Sequence, residues 1–215
     1  MRILAAADIH GVAKVYEWLV QSAESCKPDL LVLAGDLFAG GWAEEQREQA
    51  RTAIIPLLKQ VSVPVFYIMG NDDNVALDYE DQRIKPLHRR RIEMGGYEFL
   101  GYQYTPPFVG VTFVKPESEI EEDLRSLEML LDPRTVLITH APAHGTLDSS
   151  LADEHVGSRA LAALLDRRPV LAHIHGHIHG CFGRDGNRFN VAAAGQRRAY
   201  LIELPSLRAR VLRED

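Results

Sequence analysis

The sequence predicts an α/β protein built on a parallel sheet with covering helices. Three observations carry that prediction. Apolar runs of strand length at residues 2–7, 29–34 and 63–69 alternate with stretches of helical periodicity. Each run ends at a carboxylate with a glycine close by: Asp8-Ile9-His10-Gly11, Gly35-Asp36 and Gly70-Asn71-Asp72-Asp73. In parallel α/β sheets, functional groups gather beyond the carboxyl ends of the strands, where these clusters stand.

The elements follow in order. Residues 12–25 carry Val15, Trp18, Leu19 and Ala23 at helical spacing, and Lys27-Pro28 breaks the helix. Residues 43–61 form the second helix, with Ala50, Ile54, Leu57 and Leu58 inward and Pro56 dividing or kinking it. Residues 74–86 are polar and read as loop. Gly95-Gly96 joins residues 89–94 and 97–102 as a hairpin. A glycine-containing loop at 108–115 leads to a helix at 117–131, whose acidic start suits the positive end of the helix dipole. A strand at 134–139 ends at His140-Ala141-Pro142. Residues 144–157 form a long loop, and Ser158 caps a helix at 158–166. A strand at 170–174 delivers Gly176-His177-Ile178-His179. Runs at 181–184, 188–193, 199–204 and 207–212 then read as antiparallel strands, with Asp185-Gly186-Asn187 and Pro205-Ser206 at turns. No linker or repeat interrupts the chain, so residues 1–215 are expected to form one domain.

Composition narrows the function classes. The 215 residues are 46% hydrophobic and carry a formal charge of -6, which disfavours a dedicated nucleic-acid binder. Two cysteines, Cys26 and Cys181, are too few for a disulfide scaffold. The opening apolar run is too short for a signal-peptide core, and no run has the length of a membrane span. The expectation is a cytoplasmic protein acting on a small substrate, with no membrane partner. A homo-oligomer is compatible with the sequence.

Five clusters stand after strands, in the order Asp8-x-His10, Gly35-Asp36, Gly70-Asn71-Asp72-Asp73, His140-Ala141-Pro142 and Gly176-His177-x-His179. Oxygen and imidazole donors without thiolates suit Mn, Fe, Zn or Ni. They are more than one ion needs and fit two ions sharing a carboxylate, the arrangement that performs in-line displacement at phosphorus.

In these motifs and their order the chain resembles the calcineurin-like metallophosphoesterase superfamily, with its D-x-H, G-D, G-N-H-D/E, later H and G-H-x-H. The resemblance runs from residue 8 to residue 179. It implies a four-layer α-β-β-α sandwich of two mixed sheets flanked by helices. It also implies two divalent metal ions, manganese favoured. Asp8, His10, Asp36 and His179 would hold the first; Asp36, Asn71, His140 and His177 would hold the second. A water or hydroxide shared by the ions would be the nucleophile. Gly35, Gly70 and Gly176 are expected to permit the turns that aim these ligands.

One position departs from the motif. Where the family often has histidine after the asparagine, this chain has Asp72. A carboxylate beside two dications is held ionised, making it a poor proton donor and repelling a dianionic monoester more than a monoanionic diester. A phosphodiesterase is therefore the expected activity. The alternatives are a phosphomonoesterase or protein phosphatase, and a metal-binding scaffold that kept the fold with little activity. Asp72, Asp73 and His144 are the candidate catalytic groups: Asp73 as an orienting carboxylate, His144 as a replacement acid. For His144 a solvated loop histidine is the plainer reading. His173 and His175 fall outside the ligand pattern. Arg89-Arg90-Arg91 reads as a charged strand edge. Tyr102, Tyr104 and Phe108 offer a substrate wall, although strand aromatics commonly belong to the core.

Overall fold

In a computed structural model of the chain, two six-stranded sheets pack face to face; residues 1–108, 110, 112–150 and 152–214 are described. Val109 and Val111 of the 108–115 loop and Leu151 of the 144–157 loop lie outside the described residues.

The first sheet centres on four parallel strands: β1 (Arg2–Ala6), β2 (Leu30–Ala34), β3 (Val65–Ile68) and β4 (Ile84–Pro86). The second contains β5 (Arg91–Met94), β6 (Tyr97–Tyr102), β7 (Thr135–Thr139), β8 (Ala172–His175), β9 (Gly183–Asp185) and β10 (Arg188–Asn190), in the order β5-β6-β7-β8-β10-β9. Strands β6, β7, β8 and β10 are parallel neighbours, and β5 and β9 close the edges antiparallel. Strands β11 (Arg198–Glu203) and β12 (Arg208–Arg213) return to the first sheet, β11 antiparallel to β1.

The period of two in each strand builds the layers. Ile3, Ala5, Val32, Phe66 and Ile68 point between the sheets and meet Phe99, Val136, Ile138, Ile174 and Phe189. The Phe66 and Phe99 rings meet edge to face at 5.5 Å. On the outer face of the first sheet, Leu4, Leu31 and Leu33 pack on Val15, Leu19 and Ala23 of helix α1 (Ala13–Cys26). Outside the second sheet, Leu100, Tyr102 and Leu137 lie under Ile120 and Leu124 of one helix and Leu161 and Leu164 of another. This is the α-β-β-α sandwich the resemblance implied.

The helix signals act as their chemistry requires. Helix α1 stops at Lys27, whose left-handed backbone (φ 45°) lets its N–H reach the Ala23 carbonyl, and Pro28 follows. The predicted helix at 43–61 is divided. Helix α2 (Ala43–Gln49) passes through a π-helical stretch (Ala50–Ile54) into α3 (Ile55–Leu58), and the widened turn stands just before Pro56, which has no N–H for the ladder. Helix α4 (Glu117–Leu127) ends in a 3-10 turn at Glu128–Leu130. Helix α5 (Arg159–Arg167) is capped by Ser158, whose hydroxyl accepts from the Leu161 N–H at 3.1 Å.

Two expectations are corrected. Residues 74–86 are not all loop: the last three form β4, an edge strand where Pro86 is tolerated. The four C-terminal strands are not one antiparallel set. Phe189 is buried between the sheets and draws β10 parallel to β8, whereas Leu201 and Ile202 complete the first sheet beside β1. The chain crosses between sheets through a 3-10 turn at Ala194–Gln196, flanked by left-handed Ala193 and Arg197.

Candidate metal centre

The carboxyl ends of β1, β2 and β3 in one sheet and of β7 and β8 in the other bring the five sequence clusters to one end of the sandwich. The backbone there is bent sharply. Asp8 (φ 57°), His10 (φ 49°), Asp36 (φ 53°) and His177 (φ 73°) all adopt the left-handed conformation. For residues with a Cβ this costs about 1–2 kcal/mol each, and such strain collects at functional sites. It is held by tertiary hydrogen bonds. The Asp8 N–H donates to Gly35 O at 3.0 Å, and the Ile9 and His10 N–H groups donate to Asp36 O at 2.9 and 3.0 Å. The His177 N–H reaches both Asp8 carboxylate oxygens at 3.2 Å.

The three glycines divide by role. Gly35 has φ 98° and supplies a turn closed to other residues. Gly70 and Gly176 are not left-handed; they provide space. A Cβ on Gly70 would overlap Asp36 Oδ1 and stand 2.7 Å from His140 Cε1, and one on Gly176 would stand 2.6 Å from Asp8 Oδ2.

The donor atoms converge in two groups. His179 Nε2 stands 3.2 Å from Asp8 Oδ1 and 3.3 Å from His10 Nε2. His140 Nε2 stands 3.3 Å from Asp36 Oδ2 and 2.9 Å from Asn71 Oδ1. His140 Nδ1 donates to Ala34 O at 2.8 Å, which fixes the ring and turns Nε2 toward the carboxylate. Asp8-His10-His179, Asp8-Asp36-His140 and His10-Asp36-Asp72 each offer three donors within 4.8 Å of one another. The His177 ring lies 5.2 Å from the His140 ring and 5.6 Å from Phe108.

The donor set fits a pair of divalent cations. Ligand atoms about 2.0–2.2 Å from one ion stand about 3.0–3.5 Å apart in tetrahedral or octahedral arrangements, the spacing these donors approach. Charge points the same way. Asp8 and Asp36 are buried carboxylates that need positive partners. Burial pushes Asp36 up, but His140 overrides it and holds the carboxyl well below its usual range. Burial likewise opposes charge on His140, yet Asp36 carries its pKa to about 10. His179 is raised by its hydrogen bond to Asp8. His177 is pushed down to about 4 by burial and by His140, leaving a neutral imidazole with a lone pair to give.

The three candidate catalytic groups part company. Asp72 lies at the cluster: its Oδ2 is 3.8 Å from His10 Nδ1, and its N–H donates to Asp36 Oδ1 at 2.9 Å. Its carboxyl is raised by burial and by Asp36 in the protein alone. It also converges with His10 and Asp36 as a donor, a placement no motif signals. Asp73 lies beneath the cluster, fully buried. Its oxygens accept the N–H groups of Leu37, Phe38 and Gly70 at 2.9, 2.9 and 2.8 Å, so it ties the Asp36 turn to the Asn71 turn and does not reach a reacting group. Asp73 therefore acts on the cluster through these two turns, as a positioning residue. His144 has its ring 5.4 Å from His155, and among the described residues no hydrogen bond joins its side chain to the cluster.

His173 and His175 point from β8 to the outer face of the second sheet, because Ala172 and Ile174 take the inner one. They are buried, with rings 5.0 Å apart. Arg89, Arg90 and Arg91 are all paired, with Asp123, Glu80, and Glu98 and Asp132 respectively. Of the proposed aromatic wall, Tyr102 is core, and Phe108 stands half-exposed beside His177.

Comparison with known proteins agrees with this fold. A protein of Thermus thermophilus superposes with a TM-score of 0.75 over 99% of this chain and 98% of its own, at 16% identity. A dimetal phosphatase of Danio rerio superposes with a TM-score of 0.64 over 100% and 99%, at 13% identity. A curated relative, the probable rhamnogalacturonate lyase C of Emericella nidulans, is 28% identical over 177 residues, 73% of this chain. The chain spans 16% of that protein's length. The sequence profile of calcineurin-like phosphoesterases matches residues 1–181, and with the two-sheet sandwich and the Asp/His cluster at its strand ends the chain belongs to the calcineurin-like metallophosphoesterase superfamily.

Proposed function

We propose that this protein is a dinuclear metal-dependent phosphoesterase that prefers phosphodiesters to unactivated monoesters. The convergence of Asp8, His10, Asp36, Asn71, His140 and His179 donors at 2.9–3.3 Å from their nearest partners carries this reading. Asp8, His10, Asp36 and His179 would hold one cation, and Asp36, Asn71, His140 and His177 the other, with manganese the favoured metal. When bound, such a pair supplies Lewis-acid charge for phosphoryl oxygens and an acidified water. The chain's own part is to hold the donors rigid. Asp73 locks the two turns that carry Asp36 and Asn71, and the Ala34 carbonyl fixes the His140 ring. Asp72, half-exposed at the mouth, puts negative charge where a second ester group is easier to accept than a second anionic oxygen.

Elemental analysis of the purified protein, with a panel of Mn, Fe, Zn and Ni against bis-p-nitrophenyl phosphate and alkyl monoesters, tests the reading. The expected result is about two metals per chain and faster diester hydrolysis. A clear monoester preference would sink the diesterase assignment and favour the phosphatase alternative. Asp36→Asn is expected to lose metal and activity together. Hydrolysis that survives in Asp36→Asn would remove Asp36 from the centre.

A further inference from the structure

The end of the sandwich that carries the metal cluster also holds a cavity of about 300 Å³ beside the edge strand β4. Its walls come from the ends of β3, β4 and β6 and from the chain after Asn71, with Met69, Leu77, Tyr79, Pro86, His88 and Gln103 among them. Met69 precedes Asn71 by two residues, so the wall and the metal cluster are separated by about 7 Å of chain at most.

Most of the lining is apolar, and its polar groups are specific. Gln103 follows β6 and is only 8% exposed, yet its side-chain amide makes no hydrogen bond to another described residue. Its oxygen and nitrogen face the cavity and are not sealed from solvent, so a bound partner engages them without displacing a protein hydrogen bond. His88 stands beside it. Its Nδ1 accepts the Gln103 backbone N–H at 3.2 Å, so the neutral ring carries its proton on Nε2. The ring is neutral at physiological pH, because burial, aided by Arg89, holds it down at about 4. The Tyr67 hydroxyl is committed to the Leu77 and Tyr79 carbonyls at 2.7 and 2.8 Å. The unspent groups are therefore one amide, with an adjoining donor and acceptor, and one ring N–H.

Charge excludes an anion. No lysine or arginine lines the cavity among the described residues, and Asp78 and Glu80 are its charged groups. Glu80 is engaged by Arg90 at 2.9 Å and by Lys85 at 3.6 Å. A primary amide pairs in bidentate fashion with the edge of a flat ring that offers an acceptor beside a donor, as Asn and Gln do with adenine. The apolar walls suit the faces of such a ring, and the volume lies at the lower end of small-ligand pockets.

We infer that this cavity is a binding site for a planar, neutral heterocycle of the nucleobase class, read by the Gln103 amide and the His88 Nε2–H. Free bases test this without involving phosphate or hydrolysis. The full chain is titrated with adenine, cytosine and uracil, and with indole as a flat ring lacking the paired edge, by calorimetry and by amide NMR. At least one base is expected to saturate and to shift the Gln103 side-chain NH2 resonances, with indole weaker by about tenfold or more. Gln103→Met is expected to weaken that base by about tenfold or more with the melting temperature unchanged. Should Gln103→Met fail to fold, the isosteric Gln103→Glu replaces it, with the same expected loss. The inference is overturned if no base saturates at its solubility limit, if indole binds equally well, or if the variant binds the base like the parent.

Discussion

At the level of single residues, the site is governed by close approach. Gly70 has an ordinary backbone and is held at glycine by its neighbours, since a methyl group there would occupy the space of Asp36 Oδ1. Gly70→Ala is therefore expected to displace Asp36 and His140 together. It should cost about 1–3 kcal/mol through overpacking and should reduce the metal content measured on the purified variant. Retention of full metal content at unchanged stability would refute this account. Asp73 shows the limit of reading a motif by adjacency. It follows Asp72 in sequence, but its three backbone donors turn it away from the cluster and into the floor. The sequence suggests an orienting carboxylate; the positions of Leu37, Phe38 and Gly70 show which backbone groups it holds.

Among the elements, the 144–157 segment has the clearest internal logic. Its fully buried Asp148 accepts the Gly145 N–H at 3.0 Å, the Gly157 N–H at 2.9 Å and His155 Nδ1 at 2.6 Å. One carboxylate thus ties together a long loop that, among the described residues, contains no helix and only isolated β-bridges. Burial pushes Asp148 up, but the His155 bond and the two N–H groups override it and hold it below the usual carboxylate range. A carboxyl depressed in the folded state stabilises the protein above its unfolded pKa of about 4. That contribution is lost as pH falls through the lower folded value. Asp148→Asn is expected to cost about 1–3 kcal/mol at neutral pH by leaving a buried donor unmatched. Its stability should also fall less steeply than the parent's in acid, as urea titrations at several pH values would show. A variant with the parent's acid profile would remove Asp148 from this role. The loop was recognisable from its length; its anchor was not, because Asp148 carries no local pattern.

For the whole molecule, the Asp/His cluster buries carboxylates at a cost to folding that bound divalent cations would relieve. Asp8 and Asp36 come from different strands of the first sheet and are buried against His140 from the second. Cations that bind only the folded chain stabilise it by mass action. At about a hundredfold excess over Kd a single ion contributes about 2.7 kcal/mol, or roughly 5–10 °C in melting temperature for a chain of this size. Chelation is expected to lower the melting temperature by at least that amount, and restoring a divalent cation should recover it. A melting temperature indifferent to chelator and to added metal would count against a site that couples the two sheets. Among the described residues no helix is long and apolar enough to cross a membrane.

The strand–helix alternation, the order of the five clusters and their place at strand ends are legible without any coordinates. Those features are local: a period of two, a period of 3.6 and a turn after an apolar run are written in neighbouring residues. The opening Asp8-x-His10 and the closing Gly176-His177-x-His179 can be read for the same reason. Packing in three dimensions settles which sheet each C-terminal strand joins, which way His173 and His175 face, and whether Asp73 touches the cluster or supports it. Strand partners and side-chain surroundings are set by residues far apart in the chain. Phe189 settling against Ile174, and Tyr200 pairing with Ala5, are choices no local pattern records.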